Sequence, residues 1–117
     1  MNGIGPYLRT HRETLKQQDR RYSLRQVAAR VGIEPAYLSK IEREEMPPPG
    51  EQTLKKLARD LELDADLLLA MAGKISTDLQ AIICKRPQLF AQLLRQLKDA
   101  PDHALLRVVR EITDGDW

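Results

Sequence analysis

The sequence predicts an all-α protein, five short helices followed by a three-helix segment. Three observations predict it. Apolar residues recur at i, i+3, i+4 and i+7 in one stretch after another, which is the spacing of a helix face. Glycines and prolines fall between these stretches, at Gly32, at residues 46–50, at Gly73, Pro87 and Pro101, where helices stop or start. Residues 23–43, SLRQVAARVGIEPAYLSKIER, write two short amphipathic helices separated by a single glycine.

The elements follow in order. Gly3 and Gly5 are expected to make a short flexible start, and Pro6 suits the first turn of helix one. Tyr7, Leu8, His11 and Leu15 recur at helical spacing and carry that helix to about residue 17 or 18. Asp19, Arg20 and Arg21 form a charged connection. Ser23 is then a good N-cap for helix two, since its hydroxyl can accept a free N–H of the first turn. Leu24, Val27, Ala28 and Val31 are its stripe, and Gly32 supplies the positive φ that ends a helix. Pro35 opens helix three, where its missing N–H costs nothing; Leu38 and Ile41 are the buried side, and the helix ends near Arg43 or Glu44. The three prolines within residues 46–50 exclude helix interior and predict a rigid surface loop. Helix four carries Leu54, Leu57, Ala58 and Leu61. Asp64 caps helix five, whose Leu67, Leu68 and Met71 are expected inward, and Gly73 ends it. None of the five is long enough to be stable alone. Mutual packing must hold them.

Residues 74–117 form a second unit beside residues 1–73. Ser76 or Thr77 caps helix six, with Leu79, Ile82 and Ile83. Pro87 starts helix seven, where Phe90, Leu93, Leu94 and Leu97 share a face. Pro101 or Asp102 starts helix eight, with Leu105, Val108, Val109 and Ile112 inward. So short a segment builds only a marginal core. Its apolar side either packs within the chain or meets a second copy, and in the second case Phe90, Leu93, Leu94, Leu97, Leu105, Val109 and Ile112 are the dimerisation contacts.

Length allows one domain, or a small domain with an appendage. Hydrophobic residues make up 42% and charged ones 31%, so a core is affordable in water, while 4% aromatics leave it to aliphatic side chains. No apolar run approaches the roughly 18 residues of a membrane span, and no basic-then-apolar leader opens the chain; a cytoplasmic, nucleoid-associated protein is expected. Cys84 is the single cysteine, and His11 and His103 are the only other soft ligands. An internal disulfide is excluded, and neither metal nor cofactor is expected. With no nucleophile–base pair and no Gly-rich phosphate loop, no catalytic residue is nominated and an enzyme is not expected. The net charge of +2 hides an uneven distribution: residues 1–43 balance to +5, residues 44–73 to −4 and residues 74–117 to +1. Basic charge is concentrated around residues 23–43, as a phosphate-facing surface requires.

Two helices joined by a turn of three or four residues outline a helix-turn-helix, whose second helix enters the DNA major groove. On helix three, Ala36, Ser39, Lys40 and Arg43 lie opposite Leu38 and Ile41, with Pro35 at the edge. These, with Glu34, are the base-reading candidates. Lys40 can donate to guanine O6 or N7, and Arg43 to guanine or a phosphate. Pro35 and Ala36 can only pack on a thymine methyl, whereas Glu34 can accept from a cytosine amine. Candidate phosphate contacts are Ser23, Arg20, Arg21 and Arg25; each arginine is otherwise a solvated surface charge. Tyr37, on the flank of the buried arc, either only packs or also turns its hydroxyl to a phosphate.

Residues 8–71 resemble the Cro/C1-type (Xre) helix-turn-helix repressors, whose DNA-binding domain is a five-helix, lambda-repressor-like fold. LRTHRE in helix one, SLRQVAARVGI, YLSKIER and TLKKLARDLELDADLLL carry the resemblance. It implies that Arg12 and Glu42 form a structural pair between helices one and three. It also implies base reading from Pro35, Ala36 and Lys40. Glu34 stands where a Ser or Thr cap is common, and Pro35 and Ala36 stand where some members carry glutamines. Direct readout is therefore expected to rest on Lys40, Glu34, Ser39 and Arg43, with DNA shape adding the rest. The function implied is a transcriptional regulator, a homodimeric repressor of its own or a neighbouring operon, bound to an inverted-repeat operator in double-stranded DNA. The alternative is an antitoxin or defence-system subunit whose residues 74–117 bind a regulatory protein partner, such as a toxin or a metallopeptidase.

Overall fold

The apolar stripes of the first five helices meet in one core. The computed structural model describes residues 3–117, which hold eight α-helices and no strand. They are α1 (Ile4–Lys16), α2 (Leu24–Val31), α3 (Pro35–Glu42), α4 (Glu51–Leu61), α5 (Ala65–Met71), α6 (Thr77–Lys85), α7 (Pro87–Leu97) and α8 (Asp102–Asp114), with a 3₁₀ turn at Arg20–Tyr22 between α1 and α2. The protein is all-α, as its periodicity predicts.

Ile4 and Leu8 of α1 are buried with Val27, Ala28 and Val31 of α2, Leu38 and Ile41 of α3, and Leu54, Leu57, Ala58 and Leu61 of α4. Each such leucine contributes about 1.5–3 kcal/mol by leaving water. Gly32 (φ 86°) turns the chain from α2 to α3, and both its N–H and that of Ile33 return to the Ala28 carbonyl, at 2.9 and 3.0 Å. Residues 46–50 are not helical, and Pro49 is buried.

Helix α5 departs from expectation. Leu68 and Leu69 are buried, whereas Leu67 is 46% exposed. The inward stripe is Ala65, Leu68, Leu69 and Ala72, again i, i+3, i+4 and i+7, and Ala65, Ala72 and, as expected, Met71 pack against the core. Leu67 lies on the opposite side of that stripe. Two alanines are weak markers of a face, so the more conspicuous leucine misleads.

Gly5 also departs from the expected flexible start. It is buried within α1, against the end of α3. A Cβ there would sit 2.6 Å from the Ile41 carbonyl oxygen, 2.6 Å from Glu44 Cγ and 2.7 Å from the Glu42 carbonyl oxygen. Gly5→Ala is therefore expected to lower stability by about 1–3 kcal/mol, because backbone oxygens cannot yield as a flexible side chain can. Urea unfolding of the variant checks this; an unchanged midpoint would show that α1 and α3 do not approach so closely.

Two compact units part between Thr77 and Asp78. The turn after α5 stays with the first, because Ser76 is buried and Thr77 is tied to the start of α4. The Thr77 hydroxyl donates to Glu51 Oε1 at 2.9 Å, and Lys55 Nζ holds Glu51 Oε2 at 2.8 Å. Lys55 and then Thr77 hold the Glu51 carboxyl below its ordinary range. In the second unit α7 and α8 start at the expected prolyl positions, yet α6, α7 and α8 bury no side chain completely.

Candidate nucleic-acid interface

The α2–α3 pair is fixed from inside and bare outside. Val27, Ala28 and Val31 of α2 and Leu38 and Ile41 of α3 share the core, so the opposite arc of α3 must face away from it. Ala36, Lys40 and Arg43 are exposed along that arc, with Pro35 and Ser39 half-buried at its edge. Their i, i+4, i+7 spacing makes one strip about two turns long. Pro35 takes the first helical position after Glu34, whose exposed carboxylate makes no cap hydrogen bond. It is left to face outward at the helix entrance.

A buried ion pair braces this helix. Arg12 of α1 donates from Nε to Glu42 Oε2 at 2.7 Å and from Nη2 to Oε1 at 2.9 Å, and the two side chains are 6% and 4% exposed. A third donor, Nη1, reaches the Tyr22 carbonyl at 3.2 Å. Hydrogen bonding to Glu42 raises the Arg12 pKa against the opposing effect of burial. The guanidinium is a cross-tie between α1, α3 and the 3₁₀ turn, turned away from solvent and not able to touch DNA.

The basic residues at the start of α2 differ in their ties. Arg20 and Arg25 are exposed and make no ion pair among the described residues. Arg21 is clamped to Asp19, with Nη2 to Oδ2 at 2.7 Å and the backbone N–H to Oδ1 at 2.9 Å. Ser23 caps α2 by accepting the Gln26 N–H at 3.3 Å, which leaves its hydroxyl hydrogen free to donate outward. Tyr37 is half-buried against the core, and no described residue bonds its hydroxyl. Past α3, Arg43 Nη1 donates to Glu45 Oε2 at 2.9 Å.

One arginine here escaped the sequence reading. Arg30 of α2 holds Asp60 of α4 through Nε at 2.6 Å and Nη2 at 3.1 Å, and lies 5.3 Å from the centre of the Tyr22 ring. It fastens α2 to α4. No local signal marks it, because its partner is 30 residues away.

Of the dimerisation candidates, Phe90, Leu97 and Leu105 are half-buried within the second unit, while Leu93, Leu94, Val109 and Ile112 are exposed. The structure brings the α3 strip, the α2 start and the Arg12–Glu42 brace together in the first unit. The dimerisation candidates all lie in the second unit. A family model described as helix-turn-helix matches residues 13–68, from the last turn of α1 into α5. No curated protein and no solved structure matches the chain.

Proposed function

Residues 13–68 are a helix-turn-helix domain of the Cro/C1 type, and on that premise we propose that the chain is a dimeric transcriptional repressor bound to an inverted-repeat operator. The observation that carries this reading is the division of α3, with Leu38 and Ile41 in the core and Ala36, Lys40 and Arg43 outside. A recognition helix needs that division, one side to fix it and one to enter the major groove.

Lys40 and Arg43 then donate to guanine edges, Glu34 accepts from a cytosine amine, and Ser39 bonds whichever base faces it. Pro35 and Ala36 contribute only contact with a thymine methyl. Arg20, Arg21, Arg25, Ser23 and the Tyr37 hydroxyl hold phosphates and set register without reading sequence. The second unit supplies the two-fold partner that spaces two reading heads one helical turn, about 34 Å, apart.

Footprinting of DNA upstream of the chain's own gene with purified protein tests the reading. Protection of an inverted repeat is expected, and Lys40→Ala and Arg43→Ala should each weaken binding about ten- to hundredfold, at about 1–3 kcal/mol per base contact. If both variants hold the operator like the wild type, α3 is not the reading helix. A second reading, an antitoxin or defence-system subunit that engages another protein, draws on the same unburied side chains of α6–α8. Recovery of a stoichiometric foreign protein with the chain, in place of a homodimer, would favour it.

A further inference from the structure

Four exposed or half-exposed arginines of the first unit hold carboxylates, and they do so in two ways. Arg30–Asp60 links α2 to α4, and Arg9–Glu13 spans one turn of α1 at 3.4 Å. Arg21–Asp19 and Arg43–Glu45 instead join residues only two apart, at 2.7 and 2.9 Å. A pair so local ties no helix to another, and its contribution to holding the fold is small. Asp19 does cap the 3₁₀ turn, but it does so with the Arg21 backbone N–H, not the guanidinium. Both arginines are exposed, Arg21 at 77% and Arg43 at 49%. Both also belong to the DNA-facing set, one at each end of the α2–α3 pair. Lys40, Arg20 and Arg25 in the same set have no carboxylate on them among the described residues.

A carboxylate and a phosphate offer a guanidinium the same two-oxygen edge. We propose that Asp19 and Glu45 are built-in counterions of Arg21 and Arg43, which DNA phosphates must displace, and that they thereby hold down the affinity and salt sensitivity of DNA binding. The proposal rests on the DNA-binding reading above. Arg21, by side-chain and backbone hydrogen bonds, holds the Asp19 carboxyl down at about 2, so this counterion stays charged at any pH where DNA binding is measured. Solvent-exposed pairs are weak, and opening one costs a factor of about two to five in a binding constant. The displaced carboxylate takes up a cation as the phosphate releases one, which flattens the salt dependence.

The test uses the full chain and a mixed-sequence DNA duplex, since phosphate contacts need no operator. Fluorescence anisotropy over a salt series compares wild type with Asp19→Asn, Glu45→Gln, Arg21→Ala, Arg43→Ala and the two matching double variants. Asparagine keeps an acceptor for the Arg21 N–H, and residue 45 lies on the surface beyond α3, so thermal melts should match the wild type. If Asp19→Asn melts early, the Glu45 cycle decides alone. Each neutralised carboxylate is expected to tighten binding about two- to fivefold and to steepen the slope of log K against log salt by up to about one. In the Arg21→Ala and Arg43→Ala backgrounds the gain should shrink by at least half. An equal gain with and without the arginine would mean general repulsion of DNA and would overturn the proposal, as would no gain at all. A wild type that binds no duplex even at low salt would overturn the DNA-binding reading, and this proposal with it.

Discussion

Arg12→Ala should lower the stability of the first unit by about 3–5 kcal/mol, the loss expected when one partner of a buried ion pair is removed. Small domains have only about 5–15 kcal/mol in all, so this loss is a large share of the total. The size follows from what is left behind. Glu42 is buried at the end of α3, and both its oxygens are taken by Arg12, at 2.7 and 2.9 Å. Without the guanidinium, the buried carboxyl group is left with neither of these donors and no compensating charge. The Tyr22 carbonyl also loses a donor. Arg12→Lys should recover only part of the loss, since a single ammonium cannot reproduce the two-pronged contact. Arg12→Met combined with Glu42→Leu should recover most of it, because it leaves no unpaired charge. Urea unfolding of the four proteins checks the series. If Arg12→Ala proves as stable as the double variant, the pair does not brace α3.

The sequence carried most of the helical boundaries, for a physical reason. Where a stripe is made of leucine and valine and a glycine or proline closes it, local chemistry and core packing agree. Gly32, Pro35, Asp64 and Pro87 sit where the structure places the corresponding helix ends. Leu68 and Met71 of α5 do face the core as expected, but the outward turn of Leu67 was illegible, because half of the stripe is alanine and three consecutive leucines at residues 67–69 do not say which one is outside. Gly5 was illegible for the opposite reason. Its buried role comes from backbone atoms of α3 more than 35 residues away, and no composition rule records that.

The candidate interface divides along the same line. The exposed strip of α3 follows from helical spacing alone. The ion pairs do not, because Arg30 reaches Asp60 across 30 residues. Asp19–Arg21 and Glu45–Arg43 are close in sequence, but a spacing of two carries no expectation in a helix or a loop. Charge counting placed a +5 balance around the motif, yet it could not tell a cation ready for a phosphate from one already held.

Leu94→Asp or Ile112→Asp is expected to have the largest effect on operator binding, although neither lies in the helix-turn-helix unit. Both side chains are exposed in the single chain, at 53% and 62%, so aspartate removes no core contact there. If a second copy covers them, aspartate instead places a charge in an apolar interface, where desolvation is severe. On the proposed reading, the second unit gains by such a cover. Its three helices bury no side chain completely, and a segment of this size with an open apolar face gains little to offset the entropy of ordering it. Sedimentation equilibrium should therefore give a dimer for the wild type and a monomer for the aspartate variants. Dimerisation makes the second half-site contact intramolecular, so the variants should lose about 10²–10⁴-fold in affinity for an inverted repeat. Their affinity for a single half-site should stay near that of the wild type, because α3 and its brace are untouched. A wild-type monomer that still binds the repeat tightly would refute the dimer. A variant that loses a foreign protein instead of its own partner would move the second unit from dimerisation to partner recognition.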